Sequence, residues 1–265
     1  MNIWNEVAPR YHKRWISPTI GPFSCASKML ELISIKGGEH VLDVACGTGS
    51  VILQLIKLVG TQGYVVGVDM SQTALNIAKQ TNMVLPNLDF VNGDAETVKF
   101  THLFDAVTCQ FGIFFFPDAP AALSNLKSVI KEGGRLGIVV HGKNTPYYTC
   151  FIEEIVRYIP DFYRSDMPPL DRYAQREPLH KLVRDAGFAD IVIKDVTYTF
   201  SPGDFTSYWK NYTQYLAKPY QQKIESLTET ERNSLQEAIR RRTAQYTKEN
   251  IIEFPWQVLI LGATV

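Results

Sequence analysis

The sequence predicts an α/β fold: a Rossmann-like, mostly parallel sheet with helices on both faces. Three observations predict it. Short apolar, β-branched runs alternate with segments of helical spacing through the first half. Those runs are continuously apolar, as strands buried on both faces must be. A Gly-x-Gly turn, Gly47 and Gly49, joins the first run to the first helical segment.

The elements follow in order. EHVLDVAC (Glu39 to Cys46) is the first strand, and SVILQLIKLVG after it is a helix stopping at Gly60. GYVVGVD (Gly63 to Asp69) is the second strand. SQTALNIAKQTN is a helix with Ser71 as N-cap. LDFVNGD (Leu88 to Asp94) and FDAVTCQF (Phe104 to Phe111) are strands three and four. Asp118 to Lys131 reads as a helix ending at Gly133-Gly134, before RLGIVVH (Arg135 to His141) as strand five. The second half differs. Tyr147 to Ile159 is an aromatic-rich amphipathic helix, Arg164 to Arg176 a Pro-rich loop, and EPLHKLVRDAGF a helix closed by Gly187. DIVIKDVTYTF (Asp190 to Phe200) alternates with period two, as an edge or antiparallel strand does. Helices over Asp204 to Ala217 and Glu229 to Tyr246 precede a last strand, WQVLILGAT.

Composition narrows the function. The 265 residues are 45% hydrophobic and 20% charged, which calls for a packed core. With 27 basic and 27 acidic residues the formal charge is zero, which disfavours nucleic acid and anionic membranes as partners. Cys25, Cys46, Cys109 and Cys150 are scattered, with no metal-ligand spacing and no disulfide framework, so no metal is expected. They read as buried thiols in a reducing cytoplasm. The N-terminus has no signal-peptide pattern, and FGIFFFP is too short to span a bilayer. A cytoplasmic protein without stable membrane insertion is expected. IRRRTAQYTK, the one basic cluster, reads as a solvated helix face.

The Gly-x-Gly turn asks which nucleotide it serves. A dinucleotide enzyme carries a third glycine for close helix–strand packing, but Ile52 stands there. Asp43, just before the glycines, would repel a pyrophosphate and attract an ammonium group. Asp69 ends strand two, where an acid accepts from both ribose hydroxyls. Asp94 ends strand three, where a carboxylate can accept from the adenine amine while the Ala95 amide donates to a ring nitrogen. Each acid alone could be an ordinary helix cap. Together they describe one ligand, cationic at one end, with ribose in the middle and adenine at the other.

VLDVACGTGS, VVGVDMS, NGDAE, FDAVTCQFGIFFFPD and LKSVIKEGGRLGIVV resemble the five successive motifs of class I S-adenosylmethionine-dependent methyltransferases. The likeness runs from about Glu39 to Val140 and is closest to the branch containing the ubiquinone/menaquinone methyltransferases. It implies a doubly wound seven-stranded sheet with an antiparallel last strand. It also implies a single methyltransferase domain over 1–265: lid helices in 1–38, cofactor core in 39–141, acceptor-side helices and last strands in 142–265. S-adenosylmethionine is the implied cofactor. Asp43, Ala45, Gly47, Thr48 and Gly49 would hold its methionine part, Asp69 its ribose, Met70 the adenine face, and Asp94 with Ala95 the adenine edge. Gln110 and Phe111 would line the sulfonium and the acceptor entrance. WNEVAPRYHKRW resembles the branch's lid helix, with Tyr11-His12 where a Tyr-Asp pair is usual. Tyr11 and Trp15, four apart, would close one helical face over the cofactor.

Methyl transfer from a sulfonium needs alignment and exclusion of water, and a base only for some acceptors. His141 is the one histidine of five at the C-terminal end of a core strand, where α/β sheets bind ligands. It is the expected base or acceptor-orienting group. His12 lies on the lid helix within reach of either ligand, and His40, His102 and His180 lie elsewhere. Phe111, Phe114, Phe115 and Phe116, with Tyr147, Tyr148, Phe151, Tyr158, Phe162 and Tyr163, supply an aromatic pocket for a small, flat or lipophilic acceptor. Other readings are an NAD-dependent oxidoreductase, which Asp43 and the missing glycine disfavour, and a catalytically silent binding protein, whose motifs would look the same. A macromolecular methyltransferase is a third, disfavoured by neutral charge and by CQFGIFF where an NPPY-type motif would stand.

Overall fold

The computed structural model describes residues 3–15, 21–82, 85–162 and 168–265. Its strands are β1 (His40–Val44), β2 (Tyr64–Asp69), β3 (Leu88–Asn92), β4 (Phe104–Gln110), β5 (Ile130–His141), β6 (Ala189–Gly203), β7 (Thr247–Lys248) and β8 (Ile251–Thr264). Along the sheet the order is β3-β2-β1-β4-β5-β8-β6, with β7 paired to β8. The first five strands run parallel, and β8 runs antiparallel between β5 and β6. The order reverses between β1 and β4, which is where an open α/β sheet leaves its ligand crevice.

The helices are α1 (Ile3–Trp15), α2 (Cys25–Leu32), α3 (Ile52–Val59), α4 (Gln72–Asn82), α5 (Ala119–Lys127), α6 (Pro146–Tyr158), α7 (Arg176–Asp185), α8 (Phe205–Tyr215), α9 (Lys218–Glu225) and α10 (Glu229–Thr243). α2 packs on β5 and β8, α3 on β2, α4 on β2 and β3, and α7 on β6. β1, β2 and β4 are almost wholly buried and β5 is buried along its second half, whereas β6 alternates along an exposed edge, as its period predicted.

Several boundaries differ from the sequence reading. The helix expected to reach Lys131 stops at Lys127, and β5 starts at Ile130, taking in Gly133-Gly134. A register shift there lets Phe104 face Ile130 while Ala106 faces Arg135, so the glycines serve a bulge within the strand. β8 starts five residues before the predicted Trp256, because Glu249 and Asn250, both left-handed, turn a tight hairpin from β7. That hairpin adds an eighth strand, and α9 lies where no element was expected. The basic cluster is also not a free solvated face. Arg240 stacks on the Phe205 ring at 4.1 Å, and Arg242 bonds Glu153 at 2.5 Å and the buried Glu154. These contacts pin α10 to α6 and α8. All four cysteines are buried and free.

Candidate active site

The site is built at the carboxyl ends of β1, β2 and β4. Asp43 sits in β1, 1% exposed, beside Thr108 in the neighbouring β4. The Thr108 hydroxyl donates to Asp43 Oδ1 at 2.7 Å. Asp43 Oδ2 is buried and, among the described residues, has no hydrogen-bond partner. Burial pushes the carboxyl up to about 7 against the stabilising Thr108 bond, and nearby Asp69 adds to the rise. A buried carboxylate with an unanswered oxygen is a site for a cation brought by a ligand.

The turn after β1 carries Ala45, Gly47 and Gly49, all at positive φ (54°, 55° and 92°). The glycines adopt this region freely, whereas Ala45 is strained. The strain has a partner across the crevice: Phe111, just after β4, is also left-handed at 55°. Gly112 follows it, and a Cβ there would stand 2.6 Å from Ala45 Cβ and 2.8 Å from Cys109 Sγ. The two turns touch only because residue 112 has no side chain. Tyr11, Phe23, Asp43, Ala45, Gly47, Thr48 and Gln110 line a cavity of about 390 Å³, including the part open to solvent.

Asp69, at the end of β2, accepts from the Gly47 N–H through Oδ2 and from the Ser71 N–H through Oδ1, each at 2.8 Å. It ties the glycine turn to the start of α4 and keeps a second lone pair on each oxygen for a ligand. Burial raises its pKa against those two bonds. Met70 beside it is 53% exposed, an apolar surface available to a flat ring. Asp94 is exposed; its Oδ1 accepts from the Glu96 N–H at 2.9 Å. Ala95 is buried and its carbonyl accepts from Asn125 at 3.0 Å. Gln110 Oε1 accepts a long Cys25 thiol bond of 3.6 Å.

α1, expected as a lid, lies against this site. Asn5 Oδ1 accepts from the Ser71 hydroxyl at 2.8 Å and the Thr73 N–H at 3.2 Å, and so joins Ser71 in capping α4. Glu6 accepts from the Lys218 N–H at 2.7 Å, capping α9. The Tyr11 ring meets Phe23 at 6.0 Å, and burial with nearby Asp69 raises its phenol. His12 Nδ1 is buried without a partner among the described residues, and burial lowers its pKa. The side chain of Trp15, expected on the same face, lies outside the described residues, as does Tyr163.

Aromatic rings continue from the lid to the sheet. Trp4 meets Phe115 edge-on at 4.6 Å, Phe115 meets Phe114 at 4.5 Å, and Phe23 meets Phe111 at 4.9 Å. Phe111 stacks on His141 at 4.3 Å and 15°. Tyr147 stacks on Trp256 rather than joining a separate wall, and Phe151 stacks on Tyr212 in the core. Arg172, from the Pro-rich segment, donates to the carbonyls of Ile113 and Phe116 and so holds the Phe114–Phe115 turn.

Of the two roles expected of His141, base and acceptor-orienting group, the geometry bears on the first. The Trp256 indole N–H donates to His141 Nδ1 at 3.0 Å, and burial lowers the imidazole to about 3. A proton acceptor for neutral pH needs a free lone pair and a pKa near 7. The sequence reading also missed Thr108, Asn5, Arg172 and Trp256. Thr108 alone had a local signal: it is a polar residue in an otherwise apolar buried strand, where a hydroxyl must find a partner.

The fold with its glycine turn and three strand-end carboxylates defines a class I S-adenosylmethionine-dependent methyltransferase. Within that class, residues 3–202 match the ubiE/COQ5 methyltransferase family, and the chain belongs to it. It is 29% identical over 206 residues to a demethylmenaquinone methyltransferase of Staphylococcus saprophyticus, spanning 73% of this chain and 84% of that protein. It is 31% identical to a 2-phytyl-1,4-naphtoquinone methyltransferase of Nostoc punctiforme, spanning 71% of this chain and 89% of that protein. A solved methyltransferase structure from Bacillus halodurans shares the fold, with a TM-score of 0.61 and 22% identity over 91% of this chain and 98% of that one. Among the described residues no helix is long and apolar enough to cross a membrane.

Proposed function

We propose that this enzyme methylates a ring carbon of a reduced quinone, a 1,4-dihydroxyarene with an apolar substituent. The aromatic wall of Phe111, Phe114, Phe115 and Trp4 carries the reading, because it suits a flat, lipophilic ring beside the cofactor cleft. The two quinone-acting relatives support it. Bound S-adenosylmethionine supplies an electrophilic methyl group on a cationic sulfur. The residues present fit it: Asp43 Oδ2 suits the ammonium, and Asp69 the ribose hydroxyls. Met70 suits the adenine face, and Asp94 with Ala95 its edge. Gln110 and Phe111 would line the sulfonium side, Ala45, Gly47, Thr48 and Gly49 would form the cradle, and Tyr11 would cover it.

Electron demand selects the acceptor's redox state. An oxidised quinone is itself electrophilic and cannot attack a sulfonium methyl, whereas the electron-rich ring of the dihydroxy form can. The ring carbon would take the methyl from sulfur, leaving a neutral thioether, and would give up its hydrogen as a proton that reaches bulk solvent once the site reopens. What the protein contributes is alignment and exclusion of water. Residues 1–265 act as one domain, and four buried thiols suit the cytoplasm as the site of action. The test incubates protein and S-adenosylmethionine with reduced 2-prenyl-1,4-naphthoquinone and looks for a 14-dalton gain. The expected result is a C-methyl product from the reduced form alone. Methylation of some other metabolite class, with none of the naphthoquinol, would overturn the reading.

A further inference from the structure

The pair His141–Trp256 has a chemical consequence for the acceptor. An indole N–H can only donate, so the Nδ1 it meets at 3.0 Å must present a lone pair. A neutral imidazole carries one proton, which is then on Nε2. Burial holds the ring neutral, with its pKa lowered to about 3. Nε2–H has no hydrogen-bond partner among the described residues. The ring stands at the carboxyl end of β5, stacked on Phe111, with Phe114 at 5.3 Å and Tyr148 at 5.2 Å. It is thus set into the same wall that would receive the acceptor, as a donor inside an apolar surround.

We propose that His141 donates its Nε2–H to a ring oxygen of the acceptor, and that Trp256 is the positioning residue that keeps the proton on that nitrogen. The inference rests on the dihydroxyarene reading of the acceptor. Held by this donor, the oxygen beside the reacting carbon fixes the ring's rotation in an otherwise featureless aromatic slot. The same bond favours ionisation of a bound hydroxyl and so makes the adjacent carbon more nucleophilic. Trp256 lies on β8, beyond residue 202 where the family match ends, so this device belongs to the chain's own C-terminal part.

Nitrogen NMR on histidine-labelled full-length protein reads the tautomer directly, with His141 assigned by the resonance missing from H141Q. The expected spectrum has a protonated Nε2 and an unprotonated Nδ1. A proton on Nδ1 would overturn the proposal. Turnover of reduced 2-prenyl-1,4-naphthoquinone then separates donor from filler. The glutamine amide nitrogen reaches the Nε2 position and the asparagine one reaches only the Nδ1 position. kcat/KM should stay within about threefold in H141Q and fall about 10- to 100-fold in H141N, the loss of one buried donor bond. S-adenosylmethionine affinity should not change in either. Equal activity of the two variants would overturn the donor role. W256F keeps an aromatic ring and removes the N–H, so it should give a mixed His141 tautomer; a single Nε2–H tautomer in W256F would remove Trp256 from the device. Failure of the wild type to methylate the naphthoquinol would count against the acceptor class, while the tautomer would still decide for or against His141.

Discussion

Asp43→Asn should stabilise the ligand-free protein while weakening its hold on S-adenosylmethionine, two effects of opposite sign from one atom. The wild-type carboxyl is buried with one oxygen unanswered and has its pKa raised to about 7, from an ordinary value of 3.8. Between those values the folded state keeps a proton that the unfolded chain has lost. Stability of the free protein therefore falls as pH rises from about 4 to 7, and is flat above. Roughly three pKa units correspond to roughly 4 kcal/mol of destabilisation at pH 8. Asparagine is never charged, and its Oδ1 can still accept from Thr108. Its NH₂ replaces the unpartnered Oδ2, at a cost of about 1–3 kcal/mol. The net gain is about 2 kcal/mol, or roughly 5 °C in Tm for a chain of this size.

Binding moves the other way. The ammonium of the cofactor requires an ionised Asp43, so a proton must leave before the pair forms. Affinity in the wild type should drop tenfold per pH unit as pH falls below about 7. It should also fall above about 8, where an α-amino group itself loses its proton. Asp43→Asn should lose the acidic limb and bind about 100-fold more weakly near neutral pH, the worth of a charge-assisted bond. Calorimetry in buffers of different ionisation enthalpy measures both Kd and the proton released. Asp69 is also raised by burial and acts with the same sign, so it is the difference between wild type and variant that isolates Asp43. A variant that is less stable at pH 8 and binds as tightly as wild type would refute the reasoning.

Other outcomes follow from the same geometry. Gly112→Ala should cut S-adenosylmethionine affinity and lower Tm, because its Cβ would drive the Ala45 and Phe111 turns apart; thermal shift with and without cofactor reads both. Asn5→Ala frees α1 from the start of α4, and should speed proteolysis of the N-terminal segment and weaken cofactor binding by up to about tenfold. Arg242→Ala strips a partner from the buried Glu154 and should cost about 1–3 kcal/mol in denaturant unfolding.

The cluster proposed for the cofactor was legible as a cluster because its placement is local. Asp43, the two glycines, Asp69 and Asp94 each stand at the end of a short apolar run, and a parallel sheet gathers such ends without further information. What stayed hidden depends on register between distant segments. Trp256 and His141 are 115 residues apart, and only the antiparallel insertion of β8 beside β5 brings the indole N–H to the imidazole. Without that contact His141 reads equally as a base or as an acceptor-orienting group, because position alone cannot reveal a tautomer. Asn5 caps a helix 68 residues away through a contact between α1 and α4 that no spacing rule encodes. Glycines 133 and 134 misled for a different reason: the same pair ends a helix or bulges a strand, and the choice belongs to the neighbouring β4. The proposed acceptor side is assembled almost wholly from such long-range contacts, with Arg172 reaching back 59 residues to Ile113 as a further case. The residues proposed for the cofactor therefore sit at strand ends, while those proposed for the acceptor come from the packing between them, and His141, stacked on Phe111, stands where the two proposals meet.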